Sequence, residues 1–168
     1  MSMRRSNAGA YLRWIIASEY YDGAMAGIGE RAADGAPVWF RVVAWDEEQW
    51  LRVFAVAAVA ASLTQCLVHN LEKVEPRKEP FWLPGVHSVT GETRRGWGEI
   101  ARAAARAKNW WLVEAHDLGD PAGERPVLAS DIPRVVAGVR TERVLAVTGP
   151  SLVDSFLQRI RLNDGTTS

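Results

Sequence analysis

At 168 residues, 48% hydrophobic and 24% charged, the chain has the make-up of an ordinary globular protein. It is long enough to bury roughly 70% of its unfolded surface in one domain. Its 20 basic and 20 acidic side chains cancel, which removes any global pull toward nucleic acid or anionic membrane and leaves only local patches.

The single cysteine, Cys66, excludes an internal disulfide. Met1–Ala10 is short, basic and rich in small residues, and Arg13 interrupts the apolar run at Ile15-Ile16, so no secretory leader is legible. No stretch approaches the ~20 apolar residues of a membrane span. Together these features predict a cytoplasmic protein in a reducing setting. Cys66, within an apolar helical segment, reads as a buried thiol.

In chain order, residues 1–10 are expected to be disordered, a single α+β domain to span 11–162, and 163–168 to form a flexible tail. Arg13–Tyr21 is aromatic and β-branched, the composition of a half-buried strand, and stops at Asp22-Gly23, a pair suited to a tight hairpin. Met25–Ala32 is the return strand. Gly27 and Gly29 inside it mark a bulge, a bend or a close backbone approach. A second turn follows at Asp34-Gly35. In the third strand, Val38, Phe40, Val42 and Ala44 share one face, and Trp39, Arg41, Val43 and Trp45 the other. Asp46-Glu47-Glu48-Gln49 forms a polar hairpin loop before the strand Trp50–Val56. Neither face of these two strands is cleanly polar, so the meander is covered on one side and only partly wet on the other.

Ser62-Leu63-Thr64-Gln65 has the form of a capping box and opens a helix over Leu63–Lys73. Pro76, Pro80 and Pro84 then break the pattern. An irregular connection from Glu75 to Thr93 follows, which Phe81-Trp82 packs back onto the body. A second helix covers Trp97–Asn109, with Ile100, Ala103, Ala104 and Ala107 as its apolar stripe against the meander. Trp110–Ala115 is a fifth strand and Asp117–Arg125 a polar loop. Over Ser130–Val147 two patterns compete. Asp131 can cap a helix at Ile132–Val139 with Pro133 in its first turn, or Val135–Arg140 and Arg143–Thr148 can pair across Thr141-Glu142; helix then strand is preferred. Ser151-Leu152-Val153-Asp154 resembles a capping box and opens a last helix carrying Leu152, Phe156, Leu157 and Ile160. The expected fold is α+β: an N-terminal antiparallel meander of about four strands, curved, with about three helices packed on it and one or two further strands.

The chain carries no recognisable cofactor motif, and neither a cofactor nor a metal is expected. Thr148-Gly149-Pro150-Ser151 sits between a strand and a helix, but it has one glycine, lacks the Gly-Lys-Ser/Thr of a phosphate loop, and includes a proline that removes a donor. His69, His87 and His116 are scattered, with no pair at the i, i+4 spacing of a helical zinc site.

The best acid/base group is Glu114, His116 and Asp117. Strand alternation puts Glu114 and His116 on one face, where a carboxylate can hold an imidazole; the bland counterpart is a solvated strand end. No serine or cysteine nucleophile accompanies it.

Arg94, Arg95, Arg102, Arg106 and Lys108 cluster with Glu99 as the sole counter-charge. With Trp97 and Trp110 nearby they suggest stacking on single-stranded nucleic acid, or simply the exposed face of an amphipathic helix. Eight tryptophans outnumber the three tyrosines and four phenylalanines together. Trp14, Trp39 and Trp111 are assigned to the core. Trp45 and Trp50 flank Asp46, Glu47 and Glu48 at a hairpin tip, which suits a protein interface or, alternatively, a cross-strand pair that fixes the turn.

The function favoured on these grounds is a small protein-binding module that neutralises or regulates a protein partner, as immunity proteins, antitoxins and adaptors do. Hydrolase-type chemistry at Glu114, His116 and Asp117 is the alternative, and nucleic-acid binding through Arg94–Lys108 the second alternative. Self-association stays open.

Overall fold

The computed structural model describes residues 12–20, 24–74, 81–82, 91–116, 121–128 and 144–165. Four strands come first: β1 (Leu12–Tyr20), β2 (Ala24–Arg31), β3 (Pro37–Asp46) and β4 (Leu51–Ala58). Each pairs antiparallel with the next, so the expected meander is the fold's N-terminal half. The turn between β2 and β3 closes as its residues demand. Gly35 takes φ 68°, its N–H donates to the Arg31 carbonyl at 2.7 Å, and the Ala36 N–H donates to Asp34 Oδ1 at 3.0 Å. The turn expected at Asp22-Gly23 lies outside the described residues.

Helix α1 (Ala61–Val74) follows, then β5 (Phe81–Trp82), α2 (Gly91–Ala105), β6 (Asn109–Ala115), β7 (Pro121–Leu128), β8 (Leu145–Ala146) and α3 (Leu152–Gly165). The strands form one sheet in the order β5-β1-β2-β3-β4-β6-β7, with β8 beside the far end of β3. All pairings are antiparallel except β1–β5 and β3–β8. The class is therefore α+β. Phe81-Trp82 does return to the body, by backbone pairing with Ile16 and Ala17 at the edge of β1.

Several boundaries differ from the pattern. Helix α1 starts at Ala61, and the Thr64 N–H and Oγ1 both donate to the Ala60 carbonyl, so Ser62 lies inside the first turn and does not cap it. Helix α2 begins at Gly91 and ends at Ala105, several residues before both expected limits. The described part of the polar segment expected to be a loop after β6 is strand, since Pro121–Leu128 pairs with β6 as an outer strand. Proline is tolerated there because an edge strand can lack a ladder donor. Helix α3 continues to Gly165, into the stretch expected to be a tail. Of the helix-then-strand or hairpin expected over 132–148, residues 132–143 lie outside the described residues, as do residues 1–10, and the described remainder holds the short strand β8.

Two apolar clusters lie on opposite faces of the sheet. On the helix side, Leu67 and Leu71 of α1, Ile100 and Ala104 of α2, and Phe156, Leu157 and Ile160 of α3 pack over Ile15, Ile28, Trp39, Ala55, Ala57 and Leu112. At its centre Trp39 and Trp110 meet edge to face, 5.8 Å between centroids. Trp110 is fully buried and its Nε1–H donates to the Ala107 carbonyl at 3.1 Å. The other face gathers strand residues: Leu12, Val38, Phe40, Val42, Phe54, Val56, Val113 and Ala115, all at or below 3% exposure, with Trp111 packed against them.

Curvature closes this second cluster. The Arg31 guanidinium on β2 lies 4.5 Å from the Trp111 ring centroid on β6 and 3.6 Å from Glu124 Oε1 on β7. In a flat sheet β2 and β7 would be separated by four spacings of about 4.8 Å, roughly 19 Å. Contact across that interval requires the sheet to bend over the apolar cluster. Bulges supply the bend: the β1–β2 register shifts between Trp14 and Ile16 and again between Ala17 and Tyr20, and the β3–β4 register shifts between Val42 and Ala44. The latter shift corrects the simple alternation of β3, because Ala44 joins the helix-side core, opposite Val42.

Gly29 is needed at the β1 contact. A Cβ there would stand 2.6 Å from Leu12 Cδ2 and 2.7 Å from the Arg13 carbonyl oxygen, and the backbone atom cannot yield. Gly29→Ala is expected to lower stability by about 1–3 kcal/mol, seen in a thermal melt as a drop of about 2–4 °C per kcal/mol. An unchanged melt would show that β1 can move away from β2.

Candidate functional site

The β3–β4 hairpin ends in a loop of four residues, Glu47–Trp50, between the paired Asp46 and Leu51. Asp46 is only 3% exposed, and its Oδ1 accepts the backbone N–H of Glu48 at 2.9 Å and of Gln49 at 3.2 Å. Its carboxylate is thus spent on the turn. This corrects its expected place at a partner-binding surface and leaves Glu47 and Glu48 as the exposed acids.

Trp50 closes the loop with φ 54°, in the left-handed region. That conformation suits glycine and costs a side-chain-bearing residue about 1–2 kcal/mol. Its side chain is nonetheless the most exposed of the large apolar side chains that the structure describes, at 56%. The partly buried Trp45 meets it edge to face, 6.3 Å between centroids and 85° between planes. The rings do pair across the hairpin, and the Trp50 ring remains at the surface.

The Trp50 carbonyl accepts a hydrogen bond from His116 Nδ1 at 3.0 Å. The β4–β6 register explains the contact. Arg52 pairs with Ala115, so the next position along brings His116 to the base of the hairpin. Glu114, two residues earlier, looks elsewhere. Its Oε1 accepts the Leu152 N–H at the first turn of α3, beside Ser151 Oγ, which accepts the Asp154 N–H at 3.3 Å. A carboxylate and a hydroxyl there satisfy orphan donors at the positive end of the helix. Glu114 and His116 therefore hold different elements, and the hydrogen bonds they make are not to each other. Asp117 lies outside the described residues.

The same carboxylate occupies the place an anion would take after Thr148-Gly149-Pro150-Ser151. Ser155 Oγ ties that turn further, donating to the carbonyls of Thr148 at 2.8 Å and Ser151 at 3.0 Å. Ser151 does begin α3, as the capping pattern indicated.

Arg94, Arg95, Arg102, Arg106 and Lys108 are all exposed, on α2 and the turn that follows. Their aromatic companions are not. Trp97 packs against the helix-side core, and Trp110 is fully buried within it. Trp110 thus exchanges roles with Trp111, which is only partly buried beneath Arg31 on the other face. The Trp14 side chain lies outside the described residues. Cys66 is exposed, a correction to its buried assignment, because Leu67 and Leu71 take the inward stripe of α1. His69 is also exposed, and His87 lies outside the described residues. Among the described residues no group of three His, Cys, Asp or Glu side chains converges. A cavity of about 420 Å³ beside Trp110, Trp111 and Leu128 has Asn109 as its one polar side chain and no titratable group.

Compared with known protein families, curated proteins and solved structures, the chain matches none.

If Glu114 works as a cap, Glu114→Ala should lower stability by about 1–2 kcal/mol, with Glu114→Gln, which keeps an acceptor, intermediate. Thermal melts of both variants check this. A melt unaffected by Glu114→Ala would free the carboxylate for another role.

Proposed function

We propose that the chain is a small cytoplasmic protein-binding module that neutralises or regulates a protein partner, which it meets at the tip of the β3–β4 hairpin. The observation that carries the reading is Trp50: an indole 56% exposed, kept at a backbone angle that glycine would occupy without cost. A left-handed residue often closes a short hairpin loop, and here that position carries an exposed aromatic side chain. Tryptophan is also enriched among the residues that dominate protein interfaces. Glu47 and Glu48 supply a polar rim beside it, while the buried Asp46 and the partly buried Trp45 set the tip's shape.

Other features agree. Glu114 and His116, the two described members of the acid/base alternative, each bond a backbone partner and not one another. Of the aromatics expected beside the exposed arginines of α2, Trp97 is partly buried and Trp110 fully buried, which leaves little ring face for bases to stack on. Among the described residues no helix is long and apolar enough to cross a membrane. The lone exposed Cys66 suits a reducing compartment.

Trp50→Gly separates binding from folding. It removes the indole and relieves the left-handed strain, at the expense of a more flexible unfolded chain, so stability should stay within about 1 kcal/mol of the parent. Affinity capture of the tagged protein from its own cells, read by mass spectrometry, should return a stoichiometric partner with the parent and lose it with Trp50→Gly. Unchanged capture would remove the hairpin from the interface. A collapse of the melting transition would make the indole structural.

A further inference from the structure

His116 is the one exposed imidazole among the described residues that touches the hairpin tip, and its contact is specific. The atom opposite Nδ1 is the carbonyl oxygen of Trp50, 3.0 Å away. A carbonyl oxygen only accepts, so Nδ1 must carry the proton. In the neutral ring the tautomer is thereby chosen, and Nε2 is left as an acceptor.

The bond also acts where the backbone is least comfortable. Trp50 has φ 54°, and its carbonyl leaves the loop just as the chain enters β4. A residue with a side chain leaves this region readily unless its surroundings hold it. Trp45 holds the ring from one side, edge to face at 6.3 Å. Asp46 Oδ1 holds the preceding amides of Glu48 and Gln49. His116 holds the carbonyl from a separate strand, 66 positions away in the chain. Of these ties it alone comes from outside the hairpin, and the register Arg52–Ala115 puts it there.

We infer that His116 is the positioning residue of the binding tip: its Nδ1–H fixes the Trp50 carbonyl, and so keeps Trp50 in the left-handed conformation that presents the indole to a partner. This deepens the docking reading of the hairpin and rests on it for its biological meaning, although the geometry can be tested without a partner. The imidazole acts through Trp50, not on the partner directly. Asparagine is the conservative replacement, since its amide nitrogen is placed on the side chain much as Nδ1 is, whereas alanine has no donor.

The test uses the full chain. Ring ¹⁵N correlations of His116, assigned by their loss in His116→Asn, report which nitrogen is protonated near neutral to mildly alkaline pH. The ¹⁹F signal of Trp50 in 5-fluorotryptophan-labelled protein, assigned with Trp50→Phe, reports the indole's setting. The expected results are a ring protonated at Nδ1, a Trp50 signal that moves toward that of a freely rotating tryptophan in His116→Ala, and a return toward the parent in His116→Asn. Partner retention should weaken about threefold to tenfold in His116→Ala, the range for one net hydrogen bond, and recover with asparagine. A neutral ring protonated at Nε2 would overturn the inference, as would a Trp50 signal indifferent to His116→Ala. Should His116→Ala not fold, the parent tautomer and the Trp50 signal of His116→Asn still decide. If the parent captures no partner at all, the docking reading fails, while the tautomer and the fluorine signal judge the positioning role separately.

Discussion

The bend of the sheet is the constraint from which the rest follows. A meander whose two faces are both apolar must cover both, and helices α1, α2 and α3 cover only one. The other is shut by folding the sheet on itself, so that Phe40 and Phe54 meet inside it at 6.4 Å and Arg31 reaches over Trp111 to Glu124. Burying those eight strand side chains is a hydrophobic gain that a flat sheet would forfeit. The cation–π contact adds on the order of 1 kcal/mol, and its larger part is to join strands that are distant in the sheet order.

That bend also sets the direction of the tip. The bulge at Val42–Ala44 turns the end of β3, releases it from β2, and lets β8 pair there with Ala44 and Trp45. The Val147 N–H donates to the Trp45 carbonyl at 3.0 Å, and Arg159 of α3 donates to the Ala146 carbonyl at 2.8 Å. The base of the hairpin is therefore gripped by β8, α3 and β6, while the side chains of its four loop residues are exposed. Rigid support beneath a short exposed loop is the usual arrangement for recognition.

Much of the fold was legible because its signals are local. Asp34-Gly35, the alternation through Phe40 and Val42, Ser151 before α3 and the glycines of β2 each state their geometry within a few residues. The failures share a physical cause. Strand β7 carries Pro121, Gly123 and Pro126, loop chemistry that an outer strand tolerates only because its neighbour β6 supplies the ladder. The Val42–Ala44 bulge reverses an inward and outward assignment without any glycine to announce it. Trp110 and Trp111 are adjacent, so their burial depends on which face of β6 meets the helices, a tertiary fact.

The candidate site divides in the same way. Trp45, Trp50 and the acids between them stood out by composition, but the internal use of Asp46 needed the turn's geometry. The link from His116 to Trp50 could not be seen beforehand, because it depends on the register of two strands separated by a helix pair and the short β5. Glu114 lies on β6 and His116 just past its end. Their hydrogen-bonding partners, the start of α3 and the hairpin carbonyl, come from other parts of the chain.

The curled sheet sorts the tryptophans, burying Trp39 and Trp110 and leaving Trp50 exposed. Tryptophan-selective oxidation of the native protein, followed by peptide mass spectrometry, measures that sorting directly. Trp50 should be modified ahead of Trp39 and Trp110, which stay protected until the protein unfolds. Protection of Trp50 equal to that of Trp110 in the free protein would contradict it.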